Sequence, residues 1–382
     1  MTVLAESRNK VLAGLRFIFI SRSSQSSSQS GVGRRLPWPD IARGIAIILV
    51  VLHHTIQWLL LEQATDPVWS AVTEFLRTMR MPLFFCISGI FAASWISRKS
   101  WRELIAHKLL LLFWVYITWC TIRWLYFLIA PRRGTPEPFY FSRLLAAPFW
   151  PTNELWFLYA LIVFFVFAKL FYRIPMVNFV LAFLASAVAL SGLIHFPNGA
   201  VEGVCSYYLL FLVGLYGREF ILNWVPRMRL LALLLLCTLW FGSYLLVHLL
   251  SIQAFPGIGV ILRLFGLSTG LLLAHAVGRV RGTSWLSWMG RNTLPVYVCH
   301  VLWIVPLVVL VGLVSPGPSA PIAYFYPLVI CFVAIAGSLL IWLLTRKLGL
   351  NFLYFPPKFV GRLLSNRLRL GRGKDSSLHP EV

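Results

Sequence analysis

Asp40-Ile41-Ala42-Arg43-Gly44-Ile45-Ala46-Ile47-Ile48-Leu49-Val50-Val51-Leu52-His53-His54-Thr55-Ile56-Gln57-Trp58-Leu59-Leu60-Leu61 is a largely apolar run that opens on Asp40 and is interrupted by Arg43, a histidine pair, Thr55 and Gln57. At about 1.5 Å of helical rise per residue, positions 41–61 extend roughly 31 Å, matching a bilayer hydrocarbon core of about 30 Å. Nine more such runs follow, at about 81–97, 107–130, 154–171, 176–194, 204–221, 229–251, 257–277, 292–314 and 324–345. They are continuous rather than alternating, which speaks for helices and against a transmembrane β-barrel. Composition agrees: of 382 residues, 59% are hydrophobic and 12% charged, against about 25% charged in a soluble domain. So much apolar surface cannot be hidden in one water-soluble core. The expected fold is an all-α polytopic membrane protein of about ten transmembrane helices. A soluble enzyme is excluded, and the excess of 34 Lys+Arg over 12 Asp+Glu does not mark a nucleic-acid binder.

The basic residues orient the helices instead. With the N-terminus inside, the segments 1–43, 98–108, 169–173, 218–229, 279–291 and 346–374 hold 27 of the 34. The outer side keeps only Arg77, Arg80, Arg123, Arg132, Arg133, Arg143 and Arg263. This alternation through ten helices predicts both termini in the cytoplasm, in a cell (inner or plasma) membrane. Residues 1–36 carry a Ser/Gln tract and read as a disordered cytoplasmic tail. Residues 37–350 read as the membrane domain, and 351–382 as a basic cytoplasmic tail suited to anionic lipid. The only sizeable outer loop spans about 131–153. The six cysteines fall in or beside apolar runs without a CxxC pair, so they read as small buried hydrophobes rather than disulfide or zinc ligands. Sixteen tryptophans, among them Trp38, Trp58, Trp69, Trp95, Trp150, Trp156 and Trp224 near predicted helix ends, suggest an interfacial belt.

Ionisable groups inside a membrane are costly, so each is a candidate for function. Arg43 and His54 lie eleven residues apart, about three helical turns, and therefore share a face with about 16 Å of rise between them. Arg43 is either a snorkelling anchor or a fixed cation at the cytoplasmic rim. His54, beside His53, is better explained by chemistry than by helix packing. No GxxxxGK[ST], GxGxxG, HExxH or GxSxG sequence occurs, and no carboxylate cluster suggests a metal.

Arg43-x10-His54 resembles the Arg-x10-His pattern of the acyltransferase 3 family of integral membrane acyltransferases. Four further segments are similar to that family's motifs: Phe84-Phe85-Cys86-Ile87-Ser88-Gly89, the basic loop Lys99-Ser100-Trp101-Arg102, Phe211 to Arg218 with its Gly214 and Gly217, and Gly290 to His300. The resemblance runs from about 36 to 345. Two departures stand out. Lys99 replaces the first arginine of the basic element, and the proline that often follows that element is missing from Leu109–Trp114. The resemblance leads one to expect no appended soluble domain of the kind some members carry, and Asp40 to His54 resembles the stand-alone, fucose 4-O-acetylase-like branch.

The resemblance implies an O-acetyltransferase that moves an acetyl group from acetyl-CoA, or another acyl-CoA, to a hydroxyl of an external or lipid-linked glycan or glycolipid. It implies His54 as base or transient acyl carrier, with Glu154 and His300 supporting it. Arg43, Lys99 and Arg102 would grip the polyanionic donor, joined by Lys108. Arg80, Ser88 and Tyr297 are candidate acceptor contacts, but each has a plainer reading: snorkelling for Arg80, small-residue packing for Ser88-Gly89, and interhelical hydrogen bonds for Tyr297 and His300. Glu154 is equally a carboxylate at a helix N-terminus. No metal is expected. The partners expected are acyl-CoA, acceptor and lipid, and no nucleic acid. The competing readings are an exporter of an envelope glycan or lipid with an intramembrane His/Arg path, and a catalytically silent assembly partner.

Overall fold

The computed structural model describes residues 36–129, 141–151, 154–315, 317–357 and 360. Most of the N-terminal tail, parts of the outer loop and the basic tail beyond 360 lie outside the described residues, so the disorder expected of 1–36 does too. Within them the chain is helical, with no strand. The helices are α1 (Trp38–Leu61), α2 (Val68–Ser97), α3 (Trp101–Ile129), α4 (Phe141–Ala146), α5 (Trp156–Leu170), α6 (Pro175–Ser191), α7 (Gly199–Tyr216), α8 (Arg218–Trp224), α9 (Leu230–Leu249), α10 (Ile258–Gly278), α11 (Ser284–Arg291), α12 (Thr293–Val314) and α13 (Tyr326–Lys347).

Eight of these, α1, α2, α3, α7, α9, α10, α12 and α13, are long and apolar enough to cross a membrane. Helices α5 and α6 are apolar but have 15 and 17 residues. That is about 23 and 26 Å of rise, short of a roughly 30 Å core. All ten apolar runs are therefore helical, and eight of them reach spanning length. The largest displacement is in α2, which begins at Val68 rather than near 81. Thr73, Glu74, Arg77 and Arg80 depress the hydropathy of its first half, yet that half lies against a cavity rather than in a loop. The third helix opens on a Ser100–Glu103 capping box and then widens into a π-helical stretch, Leu104–Leu109. A π-turn shifts the register of the residues that follow, and here Lys108 is turned inward, over the Trp95 ring at 5.3 Å.

Helix α2 is the hub. In its most apolar stretch 72% of residues are buried, against 17% in α9, whose leucines face outward. Glycines let its neighbours approach to backbone contact. A Cβ on Gly214 of α7 would strike the Cys86 carbonyl oxygen of α2, and one on Gly89 would strike the Phe211 carbonyl oxygen in return. Gly44 and Gly290 make the same reciprocal contact between α1 and α11, through Leu286 and Asp40. Pro82 has no N–H to bond the carbonyl of Thr78, and Gly266 of α10 backs onto that carbonyl.

Three details differ from expectation. Trp38 and Trp58 are buried in the bundle (1% and 6% exposed) rather than in an interfacial belt, because both helix ends carrying them are enclosed by neighbours. The cysteines are free: four are buried, and Cys205 and Cys237 half-buried. Beyond α13 the chain folds back onto α3, where Trp114 and Trp119 donate to the Phe352 and Leu353 carbonyls at 2.7 and 2.8 Å. Tyr354 is buried there beside Cys299. The loop before α2 is also tied down. Asp66 accepts from the Val68 amide and from the Tyr324 hydroxyl at 2.8 Å, which together hold its carboxyl below the ordinary value.

Candidate functional site

Arg43 and His54 stand on one continuous helix, α1, and open on different spaces. At the His54 end, α1, α2, α5, α7 and α12 enclose a cavity of about 440 Å³, lined by His53, His54, Arg80, Arg123, Glu154 and Tyr297 among others. At the Arg43 end a narrow gap of about 40 Å³ runs between α1, α2, α3, α5 and α12, past Ser88, Leu112, Leu161 and Thr293. Phe84, Phe157 and Tyr297 line both spaces and form the wall between them.

The imidazoles cluster in the larger cavity. His54 lies 5.1 Å from His53 and 5.2 Å from His300, ring centre to ring centre. An amide oxygen only accepts, so the 3.0 Å contact of His54 Nδ1 with Gln57 Oε1 puts the proton on Nδ1 and leaves Nε2 with its lone pair. His300 Nδ1 donates likewise to the Val296 carbonyl at 3.2 Å, and its Nε2 is buried without a partner. Two acceptor nitrogens thus belong to neighbouring rings.

Glu154 stands just before α5. Its carboxylate is closed on Arg123: Oε1 accepts from NH2 at 3.0 Å and Oε2 lies 2.7 Å from Nε, while Arg123 in turn lies 4.8 Å over the Phe127 ring. This is a close pair with one charge-assisted hydrogen bond. The Tyr297 hydroxyl donates to the Glu154 carbonyl and accepts from the Phe157 amide at 3.2 Å, which fastens the start of α5 to α12. Tyr297 thereby sets where Glu154 stands.

The other candidates are dispersed. Arg43 is buried, donates to Thr293 Oγ1 at 3.1 Å and lies over the Phe91 ring at 5.4 Å. Lys108 is buried within electrostatic reach of it. Lys99 is exposed and paired with Glu103 at 2.8 Å, while Arg102 is exposed at the start of α3; neither lines either of these two spaces. Ser88 borders the narrow gap, with its hydroxyl turned to the Phe84 carbonyl of its own helix at 2.8 Å. Arg80 is 3% exposed inside the bundle and does not reach out to the membrane surface.

Sequence reasoning passed over Arg123, Gln57, Thr73 and Thr293. Arg123 sits in the middle of an apolar run, and the cost of a charge there was signal enough. It was counted only as a marker of orientation. Gln57 follows His54 by three residues, a helical-face spacing that also pointed to it.

The acyltransferase-domain pattern of the acyltransferase 3 family matches residues 36–346. The inner membrane protein YcfT of Escherichia coli is 27% identical over 350 residues, covering 84% of this chain and 96% of that protein. Two nodulation proteins NolL match shorter stretches. That of Mesorhizobium japonicum is 34% identical over 101 residues (26% of this chain, 27% of its own length). That of Sinorhizobium fredii is 31% identical over 152 residues (38% and 39%). No solved structure matches the chain significantly.

Proposed function

The chain belongs to the acyltransferase 3 family of integral membrane proteins, and from that premise we propose that it transfers an acyl group, acetyl in the first instance, from a cytoplasmic acyl-CoA to a hydroxyl presented on the other side of the membrane. One observation carries the reading: a single helix holds Arg43 against one space and His54 against another, and three aromatic side chains line both. With the Lys- and Arg-rich segments inside, the Arg43 end is cytoplasmic and the larger cavity is external.

On this reading the donor's phosphates meet the basic rim around Lys99 and Arg102, with Arg43 and Lys108 deeper in. The gap of about 40 Å³ holds little more than one water, whose share of liquid volume is about 30 Å³. The donor arm therefore has to part Leu111, Leu112, Leu158 and Leu161 to bring its thioester to the aromatic wall. In the larger cavity His54 Nε2 takes the proton of the acceptor hydroxyl, and the oxygen attacks the thioester carbonyl. The new C–O ester bond forms as the C–S bond breaks, and CoA leaves as a thiolate that is protonated from the His54 imidazolium. His300 Nε2, with its lone pair, accepts from the transient His54 Nε2–H, and the Arg123–Glu154 pair sets the negative charge near the developing imidazolium. General-base action of this kind contributes about 10²–10⁴-fold.

The test is the purified full chain with radiolabelled acetyl-CoA and a panel of envelope glycans. Label should move to a glycan, or the thioester should hydrolyse, at a rate that His54→Ala abolishes. Equal rates in the two proteins refute the reading. Glycan flux into vesicles without chemistry, insensitive to His54→Gln, would favour the exporter instead.

A further inference from the structure

Resting on that reading, the larger cavity also carries information about the acceptor. Three arginines and three carboxylates line it, so the formal charge balances, but the pairing does not. Arg123 is closed on Glu154 at 2.7 Å. Arg77 lies 3.5 Å from both Glu74 and Glu202, whose side chains are 52% and 39% exposed, so water screens what Arg77 leaves of them. Arg80 remains. It is 3% exposed, its Nε is buried without a partner, and its one hydrogen bond among the described residues is a long one, NH1 to Thr73 Oγ1 at 3.4 Å. No described carboxylate stands within ion-pair distance of it. Glu74 lines the same cavity but makes no direct ion pair with it. A guanidinium held at membrane depth without a direct ion pair is costly, and such groups mark substrate paths.

Thr73 extends the site to the imidazoles. Its oxygen accepts from Arg80 and lies 2.7 Å from His53 Nδ1, so one hydroxyl links the guanidinium to that ring. His53 lines the same cavity, 5.1 Å from His54. A buried cation beside a base is complementary to a molecule that carries both an oxyanion and a hydroxyl. We propose that the acceptor is anionic: Arg80 seats its carboxylate or phosphate while a hydroxyl of the same molecule meets His54. A neutral sugar would give Arg80 no direct ion pair.

The experiment uses the full chain in lipid nanodiscs with radiolabelled acetyl-CoA and four acceptors: a glucuronate-containing oligosaccharide, its methyl ester, a neutral fucosyl oligosaccharide, and an isoprenyl-phosphate sugar. The expected result is a kcat/KM at least tenfold higher for the uronate or the phosphate than for the ester and the neutral glycan, and the better of the two identifies the source of the charge. Arg80→Gln should erase the preference and Arg80→Lys should retain part of it. Equal kcat/KM across all four, with transfer still dependent on His54, overturns the anionic acceptor and leaves acyl transfer standing. If no acceptor is modified and no thioester hydrolysed, acyl transfer itself has failed. The anion site is then read from thermal unfolding with added glucuronate or inorganic phosphate. Stabilisation lost in Arg80→Gln upholds the site, and identical shifts in both proteins overturn it.

Discussion

Adding one methyl group should separate the glycines that hold this bundle together from those that merely occur in it. In Gly214→Ala the new Cβ points at the backbone of α2, with the Cys86 carbonyl carbon at 2.7 Å and its Cα at 3.0 Å. Ordinary contact begins near 3.4 Å, so the two helices must part by at least about 0.7 Å (3.4 minus 2.7). Neither atom belongs to a flexible side chain, so no rotamer change relieves the clash. Overpacking of this kind costs about 1–3 kcal/mol, and α2–α7 is the most extensive helix contact among the described residues. Gly242 of α9 is the control: a Cβ there meets nothing within 4 Å. Gly242→Ala removes only a helix-weakening residue and should stabilise by about 0.5–1 kcal/mol. The two variants should thus differ by roughly 2–4 kcal/mol, read by denaturant titration in mixed micelles with tryptophan fluorescence. Equal stability of the two variants would refute the argument that backbone contact at Gly214 sets the helix spacing.

Arg123→Gln should destabilise by about 3 kcal/mol, since it takes the charged partner from a carboxylate that is largely enclosed. Arg123→Gln with Glu154→Gln should recover most of that stability without recovering activity, which a double-mutant cycle on unfolding and turnover would show. Gln57→Leu removes the acceptor that assigns the His54 proton to Nδ1. It should lower kcat by roughly tenfold or more with little change in donor KM, and an unchanged kcat would mean another group orients the ring. Trp119→Phe leaves the Leu353 carbonyl without its donor, at about 1–2 kcal/mol. Limited proteolysis should then cut within 350–357 faster than in the parent, and identical cleavage would show that this strand of chain is held by other contacts.

The helices were legible because a hydrocarbon core demands long apolar runs, and no tertiary context is needed to see them. The same rule misread the first half of α2. Its Glu74, Arg77 and Arg80 line a cavity inside the bundle, which hydropathy cannot tell from a loop. It also placed Trp38 and Trp58 at the membrane interface, since position along a helix says nothing about which face neighbours cover. Arg43 and His54 could be found together because one helix carries both at a regular spacing. Arg123 and Glu154 could not, because their elements are joined by a loop and pairing across helices leaves no periodic trace. The short amphipathic helix α11 lies against α1 through Gly290 and Gly44, a contact specified by what is missing from the side chains and therefore silent to any search for chemical groups.

The wall of Phe84, Phe157 and Tyr297 has an electrical consequence. Histidine, arginine and glutamate strung from face to face would make a proton wire and discharge the membrane that houses them. Here the chain of titratable groups is cut by two hydrocarbon rings and a phenol whose hydroxyl is committed to the backbone at both its proton and its lone pair. Such a break would keep protons from passing between the two spaces of the resting protein. Whatever passes between its two spaces has to push rings aside rather than hop along them, which favours a short apolar group over an ion.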